Sequence, residues 1–410
     1  MASNNITAKS STGQKIITSA YLLFGIFFLF YLIDAWVHLP YSDATRNDFG
    51  AFYVGGLMWR HGFYSLLYNH TIQTHFHNIL TYPHKENSFY FLSLPILAWF
   101  SSLFTYIPYM VGFYIWSSIE WIAIILSGVL VYKTYQGITP KGELIARILC
   151  FLFGYATFIT IFLGQVNGIS IFLFALYLYL DKKGKSTLGI YLLTFMGILI
   201  KFQVILGILL LFVLQKRKNI QPIILGLISV VLLSLLTTGF TANLAFVKNI
   251  FTTIHGTPSY KMFGIVNLAG FLFGSHYIIG TIIIFILCTT LLIFVMKKYY
   301  CEENKFIIFS AFFFYTIFLS PHLLLYDYIM LFFPFLWLSI TYYSTRKEKW
   351  VLLSWIFLNL SFCIDLSKTV IRLHFDISAT FLLAGIVILS FVAIQKCKYE
   401  DPAFDEKHYE

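Results

Sequence analysis

The stretch that decides the fold is IITSAYLLFGIFFLFYLIDAW, residues 16–36, in which Asp34 interrupts an otherwise apolar run. A helix of this length spans the roughly 30 Å hydrocarbon core of a bilayer. The chain of 410 residues shares this character, since 59% of its residues are hydrophobic and only 11% are charged. Soluble domains carry about a quarter charged residues. Because the apolar runs are continuous rather than alternating, they predict spanning helices and exclude a β-barrel.

The charge pattern predicts how the chain is oriented. The formal net charge is +10, and the basic residues form short clusters between apolar runs, such as Lys133, Lys141 and Arg147. Clusters of this kind mark the cytoplasmic side of a membrane protein. We therefore predict a bacterial-type inner-membrane protein with both termini in the cytoplasm. No basic and aromatic surface typical of nucleic-acid binding is seen.

The predicted fold class is an all-α polytopic integral membrane protein with about 12 transmembrane helices. Residues 1–15 form a cytoplasmic N-terminus, 16–395 a single transmembrane domain, and 396–410 a cytoplasmic tail. The segments 37–88 and 240–275 are predicted outer loops. The apolar runs are 16–36, 89–105, 109–132, 146–163, 166–180, 187–200, 202–214, 220–239, 276–296, 306–319, 323–342, 350–364 and 377–395.

Three segments depart from a plain helical bundle. Loop 37–88 is aromatic and moderately polar, which predicts interfacial helices at 49–60 and 64–79. Run 89–105 is short and contains Pro95, so we expect it to be re-entrant or interfacial. The segment 187–214 is expected to form two short helices with Lys201 between them. Each half reaches about 20 Å, less than the bilayer core, and would place an ammonium at membrane depth.

Four polar signals fall on the predicted outer side. They are RNDFGAFY at 46–53, followed by GFY at 62–64; GQVN at 164–167; KFQ at 201–203; and SPH at 320–322, followed by YDY at 326–328. The signals are far apart in sequence but lie at one predicted membrane level. We therefore expect a shared site that contains a carboxylate, an ammonium, an imidazole and two amides.

These motifs, in this order, resemble the polyprenol-phosphate-mannose-dependent mannosyltransferases of glycosyltransferase family 87, within the glycosyltransferase-C superfamily. The resemblance covers roughly residues 16–340 and includes the segment NLAGF at 267–271. In the best-known branch of this family a Trp and paired His follow the Ser-Pro, whereas here His322 follows directly. The resemblance implies a glycosyltransferase-C fold and a hexosyltransferase that inverts the linkage of a polyprenyl-phosphate sugar, with mannose as the expected sugar.

The resemblance also implies roles for individual residues. Asp48 is the expected general base for the acceptor hydroxyl, with Asp43 as the competing candidate. An aspartate at the start of a helix is also a common N-cap, and the two roles can coincide. The partners are the lipid-linked donor, membrane lipid, and an acceptor that is a glycolipid, a glycan or a protein.

The remaining candidates bind the donor or the acceptor. Lys201, His322 and Arg46 are expected at the donor phosphate. Each has a simpler interpretation, as a snorkelling lysine, an interfacial histidine or a solvated arginine. The candidates for the sugar and acceptor are Gln165, Asn167, Gln203, Tyr326, Asp327 and Asn267. Gln165 and Asn167 are equally suited to cap broken helices, and Tyr326 and Asp327 to form a structural network or orient His322.

Other interpretations remain open. Glu120, inside an apolar run, is predicted to be a buried partner of unknown role. No cofactor is predicted. No metal is predicted either, because the spacing of His70, His75 and His77 fits no closed metal site. A secondary transporter with broken helices and a polysaccharide polymerase or ligase are the alternative functions.

Overall fold

The computed structural model describes residues 12–39, 47–82, 90–215, 220–253, 265–299 and 325–365, together with residues 310, 313, 314 and 317. This part of the chain is helical and contains no β-strand. Its helices are α1 Thr12–Val37, α2 Asp48–Arg60, α3 His70–Thr81, α4 Pro95–Ser101, α5 Tyr109–Tyr135, α6 Lys141–Leu152, α7 Tyr155–Leu163, α8 Asn167–Lys182, α9 Ser186–Gln215, α10 Ile220–Thr253, α11 Ile265–Phe273, α12 Tyr277–Tyr299, α13 Phe332–Thr341 and α14 Arg346–Asp365.

Within these residues, three helices are long and apolar enough to cross a membrane: Thr12–Val37, Tyr109–Tyr135 and Ile220–Asn249. A fourth candidate is the pair α6 and α7, which meet at a bend of 53°. The predicted all-α membrane fold is confirmed at this level, and the count of about 12 spans stays a prediction. The predicted run 377–395 lies outside the described residues, as does 306–319 apart from four residues.

The predicted run 146–163 contains a break between α6 and α7. At the break, the backbone N–H of Tyr155 donates a hydrogen bond of 2.6 Å to Oδ1 of Asn359 on α14. A Cβ at Gly154 would lie 2.6 Å from the same oxygen, so only glycine allows this approach. The Asn359 side chain thus satisfies a backbone donor that the interrupted helix leaves free.

The first predicted outer loop contains two short helices, as expected, but the second begins later than predicted. Instead of 64–79, a single 3₁₀ turn covers Tyr64–Leu66 and α3 begins at His70. The Asn69 side chain fixes this start by accepting a hydrogen bond of 3.2 Å from the backbone N–H of Ile72. In the next predicted run, α4 has only seven residues, about 10 Å at 1.5 Å per residue, too short to cross a bilayer.

Two longer helices contain internal breaks. In α9 the backbone leaves helical geometry at Lys201, with φ −153° and ψ 81°, which confirms the predicted break there. In α10 the break is at Gly239, with φ 71° and ψ 170°, a conformation open essentially only to glycine. Gly239 ends the predicted run 220–239, and the helical stretch that follows lies in the predicted outer loop 240–275.

Arg147, which belongs to one of the predicted cytoplasmic clusters, is buried in a network of charged and polar side chains. Its guanidinium is fully buried, forms an ion pair with Glu348, and lies 3.7 Å from the carboxylate of Glu143. Gln14 on α1 donates to Glu143 at 3.3 Å and to Glu348 at 3.2 Å. These contacts tie α1, α6 and α14 together, so this charge also stabilises the packing of three helices.

Candidate active site

The first element of the site is the start of α2, which Asn47 caps. Its Oδ1 accepts hydrogen bonds from the backbone N–H of Gly50 at 3.2 Å and from the hydroxyl of Tyr109 at 3.3 Å. Its Nδ2 donates to the backbone carbonyl of Phe162 at 3.3 Å. Asn47 therefore performs the capping role that was the alternative interpretation of Asp48. Asp48 is the first helical residue, and its carboxylate is not used as the cap.

The second element is the turn that follows α7. Gly164 ends the helix in the left-handed region, with φ 65° and ψ 40°, and its carbonyl accepts a hydrogen bond of 2.9 Å from the indole of Trp116. A Cβ at this glycine would lie 2.6 Å from Cβ of Phe49. The missing side chain thus lets α2 press against the turn. This approach brings Gln165 and Asp48 together.

Asp48 occupies an environment that favours its neutral form. The residue is partly buried, and burial raises the pKa of its carboxyl from 3.8 to about 6. The negative charge of Asp327 acts in the same direction, whereas a hydrogen bond from Gln165 and the positive charge of Lys201 oppose the rise. A carboxylate with a pKa of about 6 is ionised at neutral pH and more basic than an exposed aspartate, which suits a general base.

The third element is a hydrogen-bonded group formed by Lys201, Asn167 and Asp327. The ammonium of Lys201 forms an ion pair with Asp327 and donates to Oδ1 of Asn167 at 2.8 Å. Nδ2 of Asn167 donates to Oδ1 of Asp327 at 3.3 Å, which closes the triangle. The Lys201 side chain is 10% exposed and that of Asp327 only 2%. The break in α9 places the lysine here, and a paired counter-ion makes its burial tolerable.

The structure thus brings together five residues singled out in the sequence: Asp48, Gln165, Asn167, Lys201 and Asp327. The sequence left three interpretations of Asp327 open, namely holding a sugar, orienting His322 or forming a structural network, and it did not identify Lys201 as the partner.

Other predicted positions fall outside the description. Arg46, His322 and the competing base Asp43 lie outside the described residues. The side chains of Gln203, Asn267 and Tyr326 are also outside the described part of the chain, so their predicted roles stay predictions. In the part of the chain that the structure describes, no three His, Cys, Asp or Glu side chains gather as metal ligands would.

Sequence reasoning missed two residues that shape the site. Asn47 was read only as part of the motif, although an asparagine before a helical run is itself a capping signal. Trp116 was not singled out in the sequence, yet it is buried, and its indole donates a hydrogen bond to the carbonyl of Gly164. No local signal distinguishes such a tryptophan from the many aromatic residues of a membrane protein.

The described residues thus define a helical membrane protein with a partly buried carboxylate near an ammonium at a helix break. Residues 91–325, more than half of the chain, match glycosyltransferase family 87. The chain belongs to this family and is therefore a membrane glycosyltransferase. The matched residues include Gln165, Asn167 and Lys201. No curated protein and no solved structure matches the chain. Family membership favours the transferase over the transporter and polymerase alternatives.

Proposed function

We propose that this glycosyltransferase moves a mannosyl residue from a polyprenyl-phosphate donor to an acceptor hydroxyl on the outer face of the membrane, with Asp48 as the general base. The observation that carries the proposal is the position of Asp48. Its carboxylate is free of the capping role, bonded to Gln165, and close enough to Lys201 for the two charges to interact. A base and a cation at one site are what glycosyl transfer from a lipid phosphate needs.

The proposed reaction uses these groups as follows. The acceptor hydroxyl attacks the anomeric carbon while its proton passes to Asp48. The bond between the anomeric carbon and the phosphate oxygen breaks, and the electron pair leaves with the lipid phosphate. Attack opposite the leaving group inverts the linkage. Positive charge near the departing phosphate stabilises the charge that develops on it, which is the role we assign to Lys201.

The state of Lys201 bears on this assignment. Its ammonium is paired with Asp327 and bonded to Asn167. An incoming phosphate would therefore meet a cation that already has a carboxylate partner, and it would share or replace that partner. An ammonium has three N–H donors, so it can keep Asn167 while it binds a phosphate oxygen. Gln165 and Asn167 are then placed to bind sugar hydroxyls beside it.

The outer location of the site is supported by the distribution of charge. Basic clusters predicted to be cytoplasmic, such as Lys182 and Lys183 at the end of α8, lie at the opposite end of that helix from Asn167. A helix of 16 residues separates the two by about 24 Å. A donor that is already flipped across the membrane needs no nucleotide-binding domain.

The experiment compares three proteins in liposomes: the wild type, Asp48→Asn and Asp34→Asn. Transfer of radiolabelled mannose from polyprenyl-phosphate-mannose to a host lipid extract is followed. Asp48→Asn should lower the rate at least about 100-fold, since general-base catalysis contributes 10²–10⁴-fold. Asp34→Asn is the matched control, because this carboxylate is 75% exposed and its ion pair is with His38.

Each outcome decides one part of the proposal. Transfer by the wild type and by Asp34→Asn, with loss in Asp48→Asn, supports the donor and the base together. Equal transfer by all three proteins refutes Asp48 as the base and makes Asp43 the next candidate. Absence of transfer by the wild type refutes mannose as the sugar or the lipid extract as the acceptor source. Other lipid-phosphate sugars are then compared in the same assay.

A further inference from the structure

Glu120 is a buried carboxylate that the proposed reaction does not use. It lies in the middle of α5, is fully buried, and reaches the first turn of α8. Its Oε2 accepts hydrogen bonds from the backbone N–H groups of Gly168 at 2.6 Å and Ile169 at 3.3 Å. Its Oε1 is also buried and has no hydrogen-bond partner among the described residues. A buried carboxyl group with an oxygen left unbonded is costly unless it performs a task.

The two N–H groups belong to the residues that directly follow Asn167, the first residue of α8. A helix begins with backbone donors that its own turns cannot satisfy, and a carboxylate there also interacts favourably with the helix dipole. Because Val166, before Asn167, caps the helix without a side-chain hydrogen bond, Glu120 acts as the cap from a neighbouring helix. It thereby fixes the position from which the Asn167 side chain extends.

Close approach of α5 and α8 makes this contact possible. A Cβ at Gly168 would lie 2.6 Å from Oε2 of Glu120 and 2.9 Å from its backbone carbonyl oxygen. Any other residue at this position would push the carboxylate away from the N–H groups. Lys201 is also close enough to Glu120 to interact with it electrostatically. The same acid therefore contacts the helix that holds Asn167 and interacts with the lysine that Asn167 binds.

We propose that Glu120 is a positioning residue: it fixes the first turn of α8, so that Asn167 holds the Lys201 ammonium where the phosphate of the lipid-linked donor binds. This inference rests on the proposed function. Its effect should fall on donor binding, because Asp48, which accepts the proton of the acceptor hydroxyl, lies on a different helix, α2.

The test measures donor KM and kcat in the liposome assay for Glu120→Ala, Glu120→Asp and Glu120→Gln. Alanine removes the acceptor oxygens, and aspartate retracts the carboxylate by one methylene, so both should raise the donor KM about tenfold or more. Glutamine keeps an oxygen at the same reach and should raise it least, by about threefold. The donor KM is the decisive measurement, and kcat should fall as well, because Lys201 also stabilises the charge that develops on the departing phosphate.

A structural control separates positioning from general destabilisation. Ser127→Ala changes a buried polar residue on the same helix, and among the described residues its hydroxyl bonds only to the backbone carbonyl of Ala123, at 2.7 Å. Thermal unfolding in detergent is measured for every variant. At matched loss of stability, Ser127→Ala should leave the donor KM unchanged. If Glu120→Ala does not fold, the other two variants decide: the donor KM of Glu120→Asp should be higher than that of Glu120→Gln.

The outcomes of this series are distinct from those of the proposed function. An active wild type whose donor KM is unchanged by Glu120→Ala and Glu120→Asp overturns the positioning role alone. So does a rise in KM that Ser127→Ala shares in proportion to its loss of stability. A wild type that transfers no sugar from any polyprenyl-phosphate donor overturns the proposed function and the inference together. A graded rise confined to the Glu120 variants supports both.

Discussion

Replacing Asp48 by asparagine should stabilise the protein at neutral pH while it removes activity. Burial raises the pKa of this carboxyl from 3.8 to about 6. The folded chain therefore holds the proton more tightly than the unfolded chain. Stability is highest below pH 3.8, falls as the pH rises from 3.8 to 6, and is constant above. A shift of about 2 units corresponds to about 3 kcal/mol at most.

Asparagine keeps the shape of the side chain but never ionises, so the variant avoids this cost. Because Asp48 is partly exposed, water reduces the gain, and we expect about 1–3 kcal/mol at pH 7.5. At pH 5 the linkage relation predicts about half of the difference in stability between the two proteins that is expected at pH 7.5. The assay is thermal unfolding in detergent, followed by tryptophan fluorescence, with the apparent Tm of both proteins compared at pH 7.5 and pH 5.

The same pKa predicts the pH dependence of transfer. A base with a pKa of about 6 is about 90% ionised at pH 7 and about 10% at pH 5, so the wild-type rate should fall about tenfold over that range. The stability argument is refuted if Asp48→Asn has a lower apparent Tm than the wild type at pH 7.5. In that case Gln165 and Lys201 stabilise the charged form more than burial penalises it. Asp34→Asn should leave the apparent Tm unchanged at both pH values.

Two further predictions concern the neighbours of Asp48. Lys201→Met leaves the buried Asp327 carboxylate without its counter-ion and should lower the free energy of unfolding by about 3–5 kcal/mol. Adding Asp327→Asn to this variant should restore the apparent Tm but not the affinity for the donor. Restored donor affinity would contradict the role of the lysine. Gly164→Ala forces a left-handed conformation, which costs about 1–2 kcal/mol, and overlaps Phe49, which costs about 1–3 kcal/mol more. Transfer should fall at least about tenfold. Gly184→Ala is the control, because that glycine also has a positive φ, 73°, but a Cβ there would have no atom within 4 Å. Equal effects of the two substitutions would refute the argument from packing.

Much of the candidate site could be predicted because its signals are local. Asp48 belongs to the motif RNDFGAFY, Gln165 and Asn167 belong to GQVN, and Lys201 lies between two short apolar segments. In an apolar chain a polar residue is costly, so it is kept where a helix breaks or where function needs it. Because of this cost, the polar residues stand out in the sequence. The same cost favours their grouping in the structure, where they pair with one another.

The contacts between these residues could not be predicted in the same way. Asp327 meets Asn167 across 160 positions of the chain, and Arg147 meets Glu348 across 201. A carboxylate has the same local pattern whether it faces solvent, sugar or a buried cation. For that reason the sequence identified no partner for Arg147 and no role for Glu120.

By itself, the sequence determined that the chain is an all-helical membrane protein and where its polar residues lie, because the bilayer requires long apolar helices and tolerates few charges. Only the tertiary structure decided which residue caps α2, which carboxylate pairs with Lys201 and which acid fixes the start of α8. Those choices depend on distances between helices far apart in the chain, and such distances are set by packing, as at Gly164 and Gly168, where the absence of a side chain lets two elements meet.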